Sequence, residues 1–465
     1  MIRRAPWLGC VACVGLCLAG CSSLPTIVPD LARRANPPVQ IEGARGPLSA
    51  AQSKAVLERL ASAGTPTDIF DRHLALEESV AGSPLTAGNE VHLLQDGPAT
   101  YQAMLAAIEA AEDHINIEAY ILDDDEVGQR FARALIVKQG LGVQVNLLRD
   151  SVGTFSTPAA FFQSLAASGI RVHEFNPINP LTAGPAWQWN RRNHRKLLIV
   201  DGRTAFLGGI NISSVYSGGS FKSGSRGAPK NAAGENPAWR DTDLRLQGPV
   251  VADLQRLFLA DWAQQNGPPL ASKNYFPPMQ SAGRQVVRAI GSSPEEAFSQ
   301  IYATLLSAIA SAETSVSITN AYFVPDPQLL AALEAAARRG VDVRLILPSQ
   351  TDSWLVFHAG RRYYARLLQA GVKIFERRGV LLHSKTALID GVWATVGSTN
   401  LDWRSFLHNH ELNAVVVGRE FGRQVQAMFD KDLAASQAIE LEDWQRRGLG
   451  VRVKELFARA WEYWL

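Results

Sequence analysis

The sequence predicts an α/β protein in which one layered unit is present twice, and three observations predict it. Helix-then-strand patterns alternate through the body of the chain. The pattern of residues 107–120 returns at residues 308–322. A histidine, lysine and aspartate motif occurs once in each copy, at the same distance from a later asparagine. At 465 residues, 46% hydrophobic and 19% charged, the chain has the balance of a folded protein with one large core or two ordinary ones. A formal net charge of +2 supplies no chain-wide attraction to nucleic acid and does not oppose an anionic membrane surface.

In chain order, the first element is an export signal over residues 1–20. Arg3 and Arg4 precede an apolar stretch from Ala5 to Gly20, too short for an ordinary membrane-spanning helix and suited to a secretory signal peptide. All four cysteines, Cys10, Cys13, Cys17 and Cys21, lie in the first 21 residues, which leaves none for a disulfide in the body. The run Leu18-Ala19-Gly20-Cys21 resembles the lipobox of bacterial lipoproteins, which implies cleavage before Cys21 and lipid modification of that residue. The competing reading is an uncleaved signal anchor with an incidental cysteine. Ser22, rather than Asp, after the cysteine implies by the same resemblance export to the outer membrane, on the periplasmic side of the cell envelope.

Residues 21–89 read as a tether followed by peripheral helices, with Pro25, Pro29, Pro37 and Pro38 extending the first part and a helical pattern over residues 49–80. The first repeat spans residues 90–270. Ala107 to Ala111 continues a helix and Ile115 to Tyr120 reads as a strand; Ala308 to Ala312 and Val316 to Tyr322 match them in the second repeat, residues 284–435. Each copy then has a second helix and a glycine-led alternating strand, Gly142 to Leu147 and Gly340 to Leu345. Gly169 to Val172 and Gly371 to Ile374 follow in matching order. Residues 271–283, within a Pro- and Gly-rich stretch, read as the linker, and Ser217 to Pro237 as a loop inside the first repeat. Residues 436–465 read as an amphipathic C-terminal helix. Val453, Leu456, Phe457, Ala460, Trp461 and Trp464 fall at helical spacing, which suits either a bilayer interface or packing on the body.

The two half-sites are His194-Arg195-Lys196 with Asp201, and His383-Ser384-Lys385 with Asp390, both of the form H-x-K-x-x-x-x-D. Asn211 follows His194 by 17 residues, and Asn400 follows His383 by the same 17. On a strand, the histidine and lysine of each motif project to one face. Asp201-Gly202 and Asp390-Gly391 stand between strand-like runs, a hairpin-turn signal that makes both aspartates structural. The returning strands bring small residues and Asn211 or Asn400 back beside the histidine. A lone histidine is more often a satisfied polar residue, which is the reading for His73, His92, His114, His173, His358, His408 and His410. His194 and His383 differ because each has a lysine, an asparagine and a twin. The basic run Arg191 to Lys196 also admits a solvated face or a nucleic-acid patch, but no matching run precedes His383.

These motifs resemble the phospholipase D superfamily over roughly residues 90–435, and Asn320 to Phe323, Ala394 to Asp402 and His408 to Asn413 are most similar to bacterial cardiolipin synthases. The resemblance implies two tandem phospholipase D-like α/β/α sandwich repeats related by a pseudo-twofold axis and sharing one active site. It also implies an acidic residue after each motif to hold a histidine. Glu411 and Asp241 fit, each seven residues before a glycine, with Asp243 the competitor in the first half. The expected mechanism is metal-free, with no cofactor: His194 attacks phosphorus to give a phosphohistidine, His383 is the acid, and Lys196, Lys385, Asn211 and Asn400 hold the phosphoryl oxygens. Asp241 and Glu411 set the imidazole tautomers. The expected partners are membrane phospholipids, phosphatidylglycerol first, with the protein a monomer and no nucleic acid bound. Hydrolysis to phosphatidic acid, a secreted nuclease and a non-catalytic lipid-binding lipoprotein are the alternatives.

Overall fold

The computed structural model describes residues 26–29, 37–62, 66–179, 188, 190–217 and 239–462. The expected signal peptide, Cys21, much of the tether and nearly all of the loop at 217–237 lie outside the described residues.

Two seven-stranded halves share one sheet. The first half contains β1 (Leu85–Gln95), β2 (His114–Ala119), β3 (Gln144–Asp150), β4 (Arg171–Phe175), β5 (Leu197–Val200), β6 (Thr204–Gly208) and β7 (Thr242–Gln247). The second contains β8 (Gln285–Ser292), β9 (Ser315–Asn320), β10 (Asp342–Pro348), β11 (Lys373–Arg377), β12 (Lys385–Ile389), β13 (Trp393–Gly397) and β14 (Asn409–Val417). Hydrogen bonding orders the first half β4-β3-β2-β5-β6-β7-β1. The second runs β8-β14-β13-β12-β9-β10-β11, the same order reflected. The halves meet where β1 pairs antiparallel with β8, Val286 opposite Ala87 and Val287 opposite Thr86. The pseudo-twofold axis passes through that seam.

Each half is three-layered because its strands are apolar on both faces. Leu197 and Ile199 of β5 pack with the helix Val250–Gln264, while Leu198 and Val200 pack under the helices Asp96–Ala110 and Glu126–Gly140 on the other face. In the second half Leu388 joins the core beneath the helix Arg419–Ala434, and Ala387 and Ile389 join the core of the opposite face. The period-two alternation of a strand therefore fixes which residues of each motif meet which layer.

Both hairpin turns form as expected. Asp201 and Gly202 have φ of 53° and 61°, and Asp390 and Gly391 have 51° and 66°, the left-handed pair of a type I′ turn. Each aspartate also staples the start of the strand beside its hairpin, β2 or β9: Asp201 accepts the backbone N–H groups of Glu112, Asp113 and His114, and Asp390 accepts those of Glu313, Thr314 and Ser315.

Three features differ from the sequence reading. β1 starts at Leu85, ahead of residue 90, and is central because it carries the seam between halves. The helical segment before it is not peripheral: Glu77 is fully buried, paired with Arg288 at 2.8 Å and accepting the Trp393 indole N–H at 3.0 Å. A buried arginine on β8 requires a carboxylate, which draws this segment onto the second half. The C-terminal helix is shorter than residues 436–465, spanning Leu449–Arg459 after a short strand at Ser436–Ala438 and a helix at Leu441–Gln445.

Candidate active site

His194 and His383 each sit just before a central strand, β5 and β12, on a segment that pairs with the opposite half. Arg192–Asn193 pairs in parallel with the start of β14, and the His194 N–H donates to the carbonyl of His410 at 2.9 Å. Leu381–Leu382 pairs with Trp239–Arg240, and the His383 N–H donates to the carbonyl of Arg240 at 2.8 Å. The halves are thereby stitched together at the catalytic candidates themselves.

The carboxylates cross over in the same way. Nδ1 of His194 lies 3.0 and 3.1 Å from the two carboxylate oxygens of Glu411, which belongs to the second half. Nδ1 of His383 lies 2.6 Å from Oδ2 of Asp241, which belongs to the first. All four side chains are buried. Ser398 and Asn409 also donate to Glu411. Asp241 instead rests against Gly209, where an added Cβ would be 2.2 Å from Oδ1. Asp243, the competitor, faces away: it accepts the backbone N–H of Ile210 at 3.0 Å.

The lysines complete the cluster. Lys196 donates to the carbonyl oxygen of His194 at 2.6 Å and lies over the Tyr120 ring at 4.8 Å. Lys385 donates to the carbonyl oxygen of His383, with Nζ 2.9 Å from that ring's Nδ1. Burial pulls Lys196 down to about 7 and Lys385 to about 8, against the attraction of nearby carboxylates. Burial also pulls His194 down to about 4, with Glu411 opposing, and lowers His383, with Lys385 adding to the effect. Burial alone would raise Glu411, but His194, Lys196 and Ser398 hold it below its ordinary value. The site is desolvated, its two lysines set against the two carboxylates Glu411 and Asp241, and an added anionic phosphodiester would favour the charged form of both lysines and of a histidine.

The asparagines are less alike than their spacing. The Asn211 amide donates to the Tyr216 hydroxyl at 2.8 Å, and that hydroxyl lies 3.3 Å from Nδ1 of His383. Asn400 keeps Oδ1 buried without a hydrogen-bond partner among the described residues. Sequence reasoning missed the aromatic surround. Tyr120 packs edge-on to His194 at 4.7 Å, while Tyr216, Trp239 and Tyr322 enclose His383 at 5.8, 5.0 and 6.2 Å. Tyr120 and Tyr322 end the matching strand runs, so the repeat itself could have flagged them. Tyr216 and Trp239 correspond to Ser405 and Asn409 in the second half, and nothing in the repeat marks them.

Behind His194, Arg195 donates to Asp261 at 2.7 Å and to the Glu411 carbonyl at 3.1 Å. His410 pairs with Asp261 and Glu295, both at 3.2 Å, and is raised to about 9; burial opposes the shift and the two carboxylates cause it. His410 is thus a satisfied polar residue, as its sequence context suggests. The basic run is no solvated face, since Arg192, His194, Arg195 and Lys196 are all buried. Among the described residues no group of three or more His, Cys, Asp or Glu could hold a metal ion.

A duplicated sheet with one H-x-K-x-x-x-x-D half-site from each copy, closed by crossed histidine–carboxylate pairs, defines an enzyme of the phospholipase D type. A family model described as "Cardiolipin synthase, PLD-like domain" matches residues 104–217 and 305–433. The cardiolipin synthase of Geobacillus kaustophilus (strain HTA426) is 35% identical over 389 residues, covering 83% of this chain and 74% of that one. That of Listeria monocytogenes serotype 4b (strain CLIP80459) is 34% identical over 381 residues, 81% and 76% of the two chains. The chain belongs to the cardiolipin synthase family of phospholipase D-like proteins. The crystal structure of a phosphatidylserine synthase from Haemophilus influenzae Rd KW20 has the same fold, with a TM-score of 0.59 and 14% identity over 82% of this chain and 98% of that one.

Proposed function

We propose that the protein is a phosphatidyltransferase that makes cardiolipin and glycerol from two molecules of phosphatidylglycerol through a phosphohistidine at His194. The observation that carries this reading is the crossed pairing of His194 with Glu411 and His383 with Asp241, which engages Nδ1 of both rings and leaves Nε2 for chemistry. With its proton affinity pulled down by burial, His194 is neutral and its Nε2 lone pair attacks the donor phosphorus. The bond from phosphorus to the donor's terminal glycerol oxygen breaks, and His383, protonated, gives its Nε2 proton to that oxygen. Burial and Lys385 lower the proton affinity of His383, and the anionic phosphodiester raises it again. A hydroxyl of the second phosphatidylglycerol then returns a proton to His383 while its oxygen attacks phosphorus; the phosphorus–nitrogen bond breaks and neutral His194 is restored. Lys196, Lys385, Asn211 and Asn400 hold the non-bridging oxygens in both steps. Water in place of the second lipid would give phosphatidic acid.

The relatives' printed name and the residues above support lipid over other phosphodiesters. A monomer fits the reading, since both half-sites come from one chain. An anchor at Cys21, on the periplasmic face and in the outer membrane, would hold the site at a lipid surface and raise the effective substrate concentration. The test is mass spectrometry of products after the protein is incubated with phosphatidylglycerol vesicles without added metal. Cardiolipin and glycerol are expected, and both should vanish in His194→Ala and in His383→Ala. Phosphatidic acid as sole product would make the protein a hydrolase, and turnover surviving in both variants would overturn the shared site.

A further inference from the structure

The helix Leu449–Arg459 is packed inside out. Its face toward the body carries Val451, Glu455 and Ala458, continued by Glu462; Glu455 pairs with Arg447 at 2.8 Å and Glu462 with Arg362 at 2.7 Å. Its outward stripe carries Leu449, Val453, Leu456, Phe457 and Trp461, all exposed, with Leu449 at 78% and Phe457 at 59%. A helix that only closes a core does the reverse. Arg452 and Arg459 lie along one border of the stripe and Lys454 along the other, all exposed. Apolar stripe flanked on both sides by long cations is the arrangement of a helix lying in a lipid interface, with stems in the acyl boundary and charges among anionic headgroups.

The stripe also leads to the catalytic cluster. Phe457 packs against the ring of Trp354, 6.2 Å between centroids, and Trp354 is itself exposed at the start of the helix Trp354–Arg361. Two residues before it, the exposed Asp352 accepts the Tyr322 hydroxyl at 2.7 Å, and Tyr322 is one of the rings around His383. The exposed apolar residues of the C-terminal helix therefore meet Trp354, which lies two residues along the chain from Asp352, and Asp352 holds the Tyr322 hydroxyl at the rim of the site. Among the described residues no helix is long and apolar enough to cross a membrane.

The geometry points to a second membrane contact, distinct from any N-terminal anchor: the stripe Leu449, Val453, Leu456, Phe457 and Trp461, with Trp354, docks on an anionic phospholipid surface and sets the Tyr322–Asp352 rim against it. This rests on the lipid-acting reading for its purpose but not for its test. The occupant is a lipid surface rather than a second copy of this chain because the border of the stripe is cationic on both sides, which repels a like face and attracts anionic headgroups.

The test is hydrogen–deuterium exchange on the full chain, alone and on vesicles of phosphatidylglycerol or of phosphatidylcholine, for the wild type and Phe457→Asp. Protection of residues 449–461 is expected on phosphatidylglycerol vesicles, weaker on phosphatidylcholine, and lost in Phe457→Asp. Turnover of phosphatidylglycerol in vesicles should fall about tenfold or more in Phe457→Asp, as expected for replacing an aromatic that enters the lipid on docking with a charge. Turnover of a short-chain, monomeric phosphatidylglycerol should be unchanged. Exchange at 449–461 that ignores vesicles, or protection that grows with protein concentration and not with lipid, would overturn the proposal, the latter in favour of a dimer face. Vesicle-dependent protection with no turnover of either substrate would instead retain the docking surface and overturn the proposed activity.

Discussion

Replacing Glu411 by Gln keeps the shape of the side chain that holds His194 and removes its charge. Attack of Nε2 on phosphorus makes the imidazole cationic, and Glu411 is the buried anion at 3.0 and 3.1 Å from the opposite nitrogen. At an effective dielectric constant of about 20, a full charge at that distance is worth about 5 kcal/mol, so a half-developed one is worth about 2 to 3 kcal/mol. The rate of phosphohistidine formation should fall by about 100-fold, with KM changed little because the ground-state histidine is neutral. The assay is rapid quench of a single turnover into base, followed by mass spectrometry of the peptide carrying His194. Thermal melting separates this from unfolding: Ser398 and Asn409 donate to different oxygens of Glu411, so Gln keeps an acceptor for only one of them, and any general loss of stability shows in the melting curve. The counterpart Asp241→Asn should leave attack by His194 intact when the leaving group is a good one such as a nitrophenol, since acid assistance from His383 is then not needed. Normal phosphohistidine formation in Glu411→Gln, or its equal loss in Asp241→Asn with a nitrophenyl donor, would refute the crossed assignment.

Gly209→Ala should lower activity with little change in expression, because the new Cβ would lie 2.2 Å from Asp241 and must displace the carboxylate that orients His383; kcat in steady-state kinetics reads it. Asp390→Ala should destabilise the fold by about 2 to 4 kcal/mol in chemical denaturation, as it strands the N–H groups of Glu313, Thr314 and Ser315 and the hydroxyl of Thr67. The same carboxylate sits below its ordinary value: burial alone would raise it, but those hydrogen bonds outweigh burial, so its contribution is present above the unfolded value and is lost as pH falls through the folded one. His410 works in the opposite sense. Raised to about 9 from 6.5, it contributes stability that is full below pH 6.5 and is lost as pH rises through about 9, and His410→Gln should flatten that slope in melting curves. Substrate KM should rise as pH increases past 7 to 8, where Lys196 and then Lys385 lose their protons in the unliganded enzyme, while a pH-independent KM would remove the lysines from phosphate binding.

Local chemistry made much of this molecule legible from its sequence. The duplication, the strand-borne His194-Lys196 and His383-Lys385 pairs and the turns at Asp201-Gly202 and Asp390-Gly391 follow from period, turn propensity and repeat spacing, which are properties of short stretches of chain, while the acidic candidates Asp241 and Glu411 follow from the family resemblance. Cross-strand partners are not such properties. Only the tertiary structure decided that Glu411 serves His194 and Asp241 serves His383, because the exchange depends on the β1–β8 seam bringing residues more than 140 apart into register. It also decided that Glu77 lies buried against Arg288 instead of on a peripheral helix, and that Tyr216 and Trp239 enclose His383 with no counterpart in the other half. For the last helix, residue spacing shows an apolar stripe but not its direction. Burying Glu455 and Glu462 against arginines of the body turns that stripe outward, and no periodicity in the helix itself records which face the body supplies with charge.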